Sequence, residues 1–219
     1  MNDTNQAKVR VITVSAVYGA GGSVIAPGLA KRLGLDFYDR LIHPDETRSV
    51  DNIMERLSRE ERDQSPPGRI MAGLSSLSST IGLPILGAED LDPRGHLRRH
   101  VEQSVTRVTD AGGVILGRAA AVVLAGHPTS FHVRLHGPAE RCLAQGMKIE
   151  GAEVSVARVH QADTDRSWAR FVSRLFDRDA ADPKLYHLVL DSTAVPLDAC
   201  IEVIASAATA FWRRAGVPS

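Results

Sequence analysis

The sequence predicts a three-layer α/β fold, a five-stranded parallel sheet with helices on both faces. Three observations predict it. Short apolar runs alternate with helical patterns along most of the chain. The first run leads into a glycine-rich turn and then a helix. Glycine, serine, histidine or charged residues stand at the carboxyl end of each run, as Ser15, Asp39, Gly117-Arg118, His136 and Asp191. Parallel strands joined by helices need right-handed crossovers that bury both sheet faces, and ligands of such sheets bind beyond the carboxyl ends of the strands.

Residues 9–15 are expected as the first buried strand and 23–33 as a helix stopped by Gly34, with Pro27 in its first turns where proline costs least. Residues 35–38 form a short second strand. A charged, helix-compatible stretch comes next over about 45–63. The segment 65–91, with Pro66-Pro67-Gly68, reads as a loop-rich insertion that is a surface excursion, a subunit contact or a substrate lid. Residues 93–109 are an amphipathic helix with Leu97, Val101, Val105 and Val108 on one side. Strands at 113–116 and 130–135, helices at 138–145 and 163–176, a fifth strand at 186–191 and a helix at 197–213 complete the order.

The length of 219 residues suits one domain, and 43% hydrophobic with 24% charged residues is the range of a globular protein. Lysine plus arginine equals aspartate plus glutamate at 26 each, so no nucleic-acid partner is expected. No apolar run reaches the roughly 18 residues of a membrane span, and the polar first residues carry no apolar leader segment. Cys142 and Cys200 fit no CxxC or Cys/His pattern and are expected as core residues in a reducing cytosol. The expectation is therefore a cytoplasmic protein without a membrane partner. The eight histidines lack ligand spacing, so no metal held by protein side chains alone is expected.

The run from Val11 to Ser23, Val-Ile-Thr-Val-Ser-Ala-Val-Tyr-Gly-Ala-Gly-Gly-Ser, carries the chemistry. A strand, a glycine turn and a helix start wrap backbone N–H groups around phosphate oxygens. Against the phosphate-loop pattern G-x-x-x-x-G-K-[ST], Gly21 takes the second glycine and Ser23 the hydroxyl. Gly22 stands at the lysine and Ala16 at the first glycine. Gly19, Ala20, Gly21, Gly22 and Ser23 are the candidate cofactor-binding residues, the alternative being a tight turn without ligand. Arg166, Arg170, Arg174 and Arg178 recur every four residues, a cationic row suited to polyphosphate or else a solvated face balanced by Asp163, Asp165, Asp177 and Asp179. Val172, Leu175 and Phe176 would seat the opposite side. Asp39 is placed to orient or deprotonate a phosphoryl acceptor, and Arg118 to hold an acceptor phosphate, unless each is an ordinary cap or surface charge.

At these residues the chain resembles the cytidylate kinase-like family of P-loop nucleoside monophosphate kinases. The matching residues are Tyr18-Gly-Ala-Gly-Gly-Ser-Val-Ile-Ala26, Leu33-Gly-Leu-Asp-Phe-Tyr-Asp39, Val114-Ile-Leu-Gly-Arg-Ala119, Phe131-His-Val-Arg-Leu-His136 with Pro138, the arginine helix, and Tyr186-His-Leu-Val-Leu-Asp-Ser-Thr193. The resemblance implies ATP- and Mg²⁺-dependent phosphoryl transfer to CMP or dCMP, with small-molecule nucleotides as partners. It implies a P-loop NTPase fold with an acceptor-binding lobe over about 40–98 and a helical lid over about 146–182. Residues 19–23 would cradle ATP phosphates, with Ser23 reaching the metal of Mg·ATP. Asp39, Arg40 and Arg118 would face the acceptor, and Arg166, Arg170 and Arg174 would lie on the lid over the transferring phosphate. The family commonly carries Ser-Arg-Glu or Ser-Arg-Gln at the end of the first strand, where this chain has Ser15-Ala16-Val17. The alternative is a nucleotide-binding regulatory protein of the same fold with impaired catalysis. The apolar stretch 70–86 offers a contact surface for a homo-oligomer.

Overall fold

Val11, Ile12, Thr13 and Val14 are four consecutive β-branched residues, suited to an extended strand packed on both faces. In the computed structural model, which describes residues 9–39 and 93–217, they form the middle strand of the sheet. The described elements are β1 (Val11–Ala16), α1 (Gly22–Leu33), β2 (Phe37–Asp39), α2 (Pro93–Ala111), β3 (Gly113–Leu116), α3 (Arg118–Val123), β4 (Ser130–His136), α4 (Ala139–Glu150), α5 (Val154–Phe176), a 3-10 turn at Pro183–Leu185, β5 (Leu188–Asp191) and α6 (Leu197–Arg214). Arg40, the predicted helix at 45–63 and the insertion at 65–91 lie outside the described residues.

The strand order is β2-β3-β1-β4-β5 and each pairing is parallel, as the sequence predicts. Ile12, Val14, Val133 and Leu135 pack under Ile25 and Leu29 of α1 and Ile204 and Trp212 of α6. Val11 and Ile115 pack with Val105 and Val108 of α2 and with Ala120 of α3. Helices thus cover both faces of the sheet. The expected apolar side of α2 is the buried one, with Val101, Val105 and Val108 at most 3% exposed. No helix of the described residues is long and apolar enough to cross a membrane.

Several boundaries differ for identifiable reasons. α4 runs to Glu150, and α5 begins at Val154 rather than 163. The sequence at 154–162 carries three valines and a weak helical pattern, but contacts with α4 support it. Arg158 forks onto Glu140 with two bonds of 3.1 Å, and Gln161 Nε2 donates to Ala139 O at 2.9 Å. Tertiary contacts of this kind override low intrinsic propensity. Asp177, at φ 52, closes α5, so Arg178 falls beyond the helix and the arginine row ends at Arg174. The fifth strand starts at Leu188 instead of 186, because Asp182 accepts from the Lys184 N–H and nucleates a 3-10 turn first. The six-residue α3 is too short for periodicity to reveal it. Its Ala119, Ala120 and Ala121 are buried.

Candidate functional site

The loop between β1 and α1 turns on two glycines with left-handed backbone, Gly19 at φ 69 and Gly21 at φ 75. L-residues with a Cβ rarely adopt that conformation. Space adds a second demand at Gly19, where a Cβ would fall 1.9 Å from the Cys142 carbonyl oxygen. The loop's carbonyls are taken up within the loop and by the body of the protein. Val17 O accepts from the Ala20 N–H at 3.1 Å, Gly19 O from Gln145 Nε2 at 2.9 Å, and Ala20 O from Ser192 Oγ at 2.7 Å. Gly22 and Ser23 open α1, so their N–H groups have no intrahelical carbonyl to donate to. An anion at this end would meet those donors and the positive end of the helix dipole.

Gly22 occupies the position of the pattern's lysine, and its surroundings explain the glycine. A Cβ there would lie 2.7 Å from Ala16 Cβ and 3.1 Å from Leu116 Cδ1. Positions 16 and 22 therefore share one space, which a side chain on either can fill but not both.

A cleft of about 600 Å³ opens in front of the loop. Its floor is Ala16, Tyr18, Gly19, Gly21, Gly22 and Ser23, with Leu116 and Gly117 from the end of β3. Gly146, Ile149 and Glu150 of α4 form one wall, and α5 supplies His160, Asp163, Thr164, Ser167 and Trp168. Those five match the i, i+3, i+4, i+7, i+8 spacing of a single helix face. Sequence reasoning missed this set because the arginine periodicity, offset along the same helix, is the stronger signal. The spacing itself was there to find.

Tyr18 is the best-anchored residue of the loop. Its N–H donates to Asp165 Oδ1 at 3.0 Å, and its hydroxyl donates to Glu150 Oε2 at 2.7 Å. Burial, then the bond and charge of Glu150, push the phenol up to about 12, so it stays protonated. His160 Nδ1 lies 3.8 Å from the same Glu150 oxygen. Behind the loop, burial together with Asp165 and Asp191 pushes the Cys142 thiol up to about 11. Cys142 and Cys200 are both buried and unpaired, as expected of core residues.

The predicted site residues divide into two groups. Gly19, Gly21, Gly22 and Ser23 line the cleft, with Ala20 buried in the turn between them. Arg166 and Arg170 are exposed and Arg174 is half-buried on α5; none of the three lines this cleft. Arg166 instead borders a smaller hollow of about 270 Å³ on the other side of α5, with Val17, Cys142 and Asp165. Asp39 ends the edge strand β2, in register with Leu116 at the cleft. Arg118 opens α3 directly after the cleft residue Gly117. Ser15 stands at the end of β1 but is 1% exposed, and its hydroxyl has no hydrogen-bond partner among the described residues. Asp191 is held below the usual carboxylate range, chiefly by the Thr193 hydroxyl at 2.6 Å, and pairs with Arg141 at 2.7 Å. Among the described residues no group of three or more histidine, cysteine or acidic side chains is arranged to hold a metal ion.

Comparison with curated proteins gives no match. Among solved structures, an uncharacterized protein from Eubacterium ventriosum ATCC 27560 superposes with a TM-score of 0.61 at 14% identity, covering 91% of this chain and 98% of that one. At that identity the likeness speaks to fold alone. A gluconokinase from Sinorhizobium meliloti 1021 (TM-score 0.48, 15% identity, 94% and 95% covered) and a shikimate kinase from Acinetobacter baumannii in complex with shikimate (0.45, 11%, 93% and 95%) are more distant and support no assignment. The sequence profile described as the cytidylate kinase-like family matches residues 11–194, from the first residue of β1 through the turn after β5. With the glycine loop, the parallel sheet and a profile match over most of its length, the chain belongs to the cytidylate kinase-like family, a kinase-type family of nucleotide-binding proteins.

Proposed function

We propose that the protein is an ATP-dependent nucleoside monophosphate kinase that phosphorylates CMP or dCMP. The observation that carries this reading is the loop at 19–23, whose two left-handed glycines and helix-opening N–H groups sit at the floor of the cleft. Gly19, Ala20, Gly21, Gly22 and Ser23 would hold the ATP phosphates. Ser23 is exposed on the cleft, so its hydroxyl suits the metal of Mg·ATP. Held there, the metal would supply charge neutralisation for phosphoryl transfer. Asp39, Arg40 and Arg118 would serve the acceptor. The region 146–182 would act as lid, bringing Arg166, Arg170 and Arg174 over the phosphates, and 40–98 would form the acceptor lobe of a single 1–219 domain. A coupled assay with ATP, Mg²⁺ and each common monophosphate tests the proposal. Turnover is expected to be highest with CMP or dCMP, and a folded protein with no turnover on any acceptor would refute it.

A second reading has an observation in its favour. Glu150 and Asp163 line the cleft, while Arg166, Arg170 and Arg174 do not. With glycine at 22 and alanine at 16, this suits a protein that binds nucleotide for regulation and has lost transfer. Thermal stabilisation by Mg·ATP without turnover on any acceptor would select it.

A further inference from the structure

Tyr18 is tied to two helices at once. Its main-chain N–H donates to Asp165 of α5 at 3.0 Å, and its phenol donates to Glu150 at the end of α4 at 2.7 Å. The ring lies so close to α4 that a Cβ on Gly146 would come within 2.7 Å of it. The two helices are themselves joined by the Arg158 fork on Glu140 and by Gln161 on Ala139 O. The start of the loop, α4 and α5 are thus one hydrogen-bonded body.

The segment just after Tyr18 is intrinsically loose, because Gly19, Gly21 and Gly22 are three glycines in four residues. Glycine loses more backbone freedom on ordering than any other residue, so such a loop costs binding free energy unless it is ordered beforehand. The Tyr18 N–H precedes the N–H groups of Gly22 and Ser23, which would meet an anion at the helix start. Through the Tyr18 N–H, Asp165 fixes the point from which the glycines turn. We infer that Asp165 is a positioning residue that couples α5 to the phosphate loop, so that the loop keeps its anion-binding shape only while that helix is seated on it. The inference rests on residues 19–23 being a nucleotide-phosphate loop.

The test measures amide hydrogen exchange over residues 17–23 in ligand-free protein, and ATP binding by calorimetric titration, in the wild type, Asp165→Ala and Asp165→Asn. Asp165→Ala removes the acceptor. It should speed exchange across the whole segment and weaken ATP binding, each by about tenfold, the upper scale of one net hydrogen bond. Asp165→Asn keeps an oxygen for the Tyr18 N–H and should stay within about threefold of wild type on both. Faster exchange at Tyr18 alone overturns the coupling. So does an asparagine variant as impaired as the alanine one, which would make the charge the relevant property. Tighter ATP binding by Asp165→Ala would also overturn it, since repulsion by the carboxylate would then outweigh anchoring. Failure of the wild type to bind ATP refutes the phosphate-loop reading, on which the inference rests, while the exchange data still report the mechanical coupling.

Discussion

The two walls of the cleft treat a phosphate in opposite ways. The loop after β1 presents backbone N–H groups and the positive end of α1, and it needs no charged side chain to do so. The facing side of α5 presents Asp163, Thr164, Ser167 and Trp168, with Glu150 beside them on α4. One wall attracts an anion by backbone geometry; the other carries carboxylates that repel it. In this arrangement phosphate is gripped from the loop side, by backbone donors rather than by the arginines of α5.

The sharpest way to break that comparison is to spoil the backbone wall alone. Gly19→Ala forces a Cβ onto the Cys142 carbonyl and a left-handed torsion onto alanine. The cost should be roughly 4 kcal/mol, combining overpacking with torsional strain. Urea unfolding of the purified variant measures it. A loss below about 1 kcal/mol would show that the loop is not held in the described shape.

The same contrast accounts for how much was legible in the sequence. Gly19 and Gly21 announce their positions because a positive φ is a local demand that only a few residues meet without strain. The strands are readable for a similar reason: Val11 to Val14 and the run at 113–115 are buried on both sides and need no neighbour to declare them. Which side of α5 faces the cleft is not local. It is decided by Ala157 packing with Tyr18 and Leu143, and by Phe171, Val172 and Leu175 packing with Val101 and Ala119. Those partners are distant in sequence, so the arginine periodicity was visible while its direction was not. The Tyr18–Asp165 bond, spanning 147 residues, was hidden for the same reason.

A change of pH separates the sheet from the site. His132 on β4 is 2% exposed, with Nε2 3.0 Å from Leu124 O and Nδ1 2.8 Å from Thr13 Oγ1. Nε2 therefore donates to the Leu124 carbonyl, and in the neutral ring Nδ1 accepts from the Thr13 hydroxyl. Burial, with the neighbouring His187 adding to it, pushes its pKa down to about 4. The unfolded chain binds this proton below about pH 6.5 and the folded one does not, so stability falls as pH drops from 6.5 towards 4. The contribution is on the order of 3 kcal/mol across that window. Denaturant unfolding at pH 7, 5.5 and 4 should show the decline, and His132→Gln should flatten it. Tyr18, with its pKa raised, gives the loop no such dependence over this range.

The shared space at 16 and 22 gives a paired prediction. Gly22→Lys, which restores the lysine of the phosphate-loop pattern, should fail as a repair because its Cβ meets Ala16 at 2.7 Å. It should lower stability by about 1–3 kcal/mol, as overpacking does. Ala16→Arg instead extends from a half-buried position on the cleft floor over an unsubstituted Gly22. It should tighten ATP binding about ten- to a hundredfold, the scale of one charge-assisted phosphate contact. Equal affinities for Ala16→Arg and wild type in calorimetric titration would mean that position 16 does not address the phosphates.

The smallest expected effect probes the other wall. Arg170 is exposed and lies off the cleft, seven residues after Asp163 and so about 10 Å further along α5. In the described arrangement its charge is screened by water, and Arg170→Ala should change the ATP dissociation constant by no more than about twofold. The proposed lid movement assigns its role to turnover, where the variant should lose activity at saturating ATP and acceptor. That split between binding and kcat keeps the two walls distinct: the loop holds the nucleotide in the ground state, and the arginines act only in the transfer step. A tenfold loss of ATP binding would abolish the distinction, because Arg170 would then already reach the phosphates before any transfer begins.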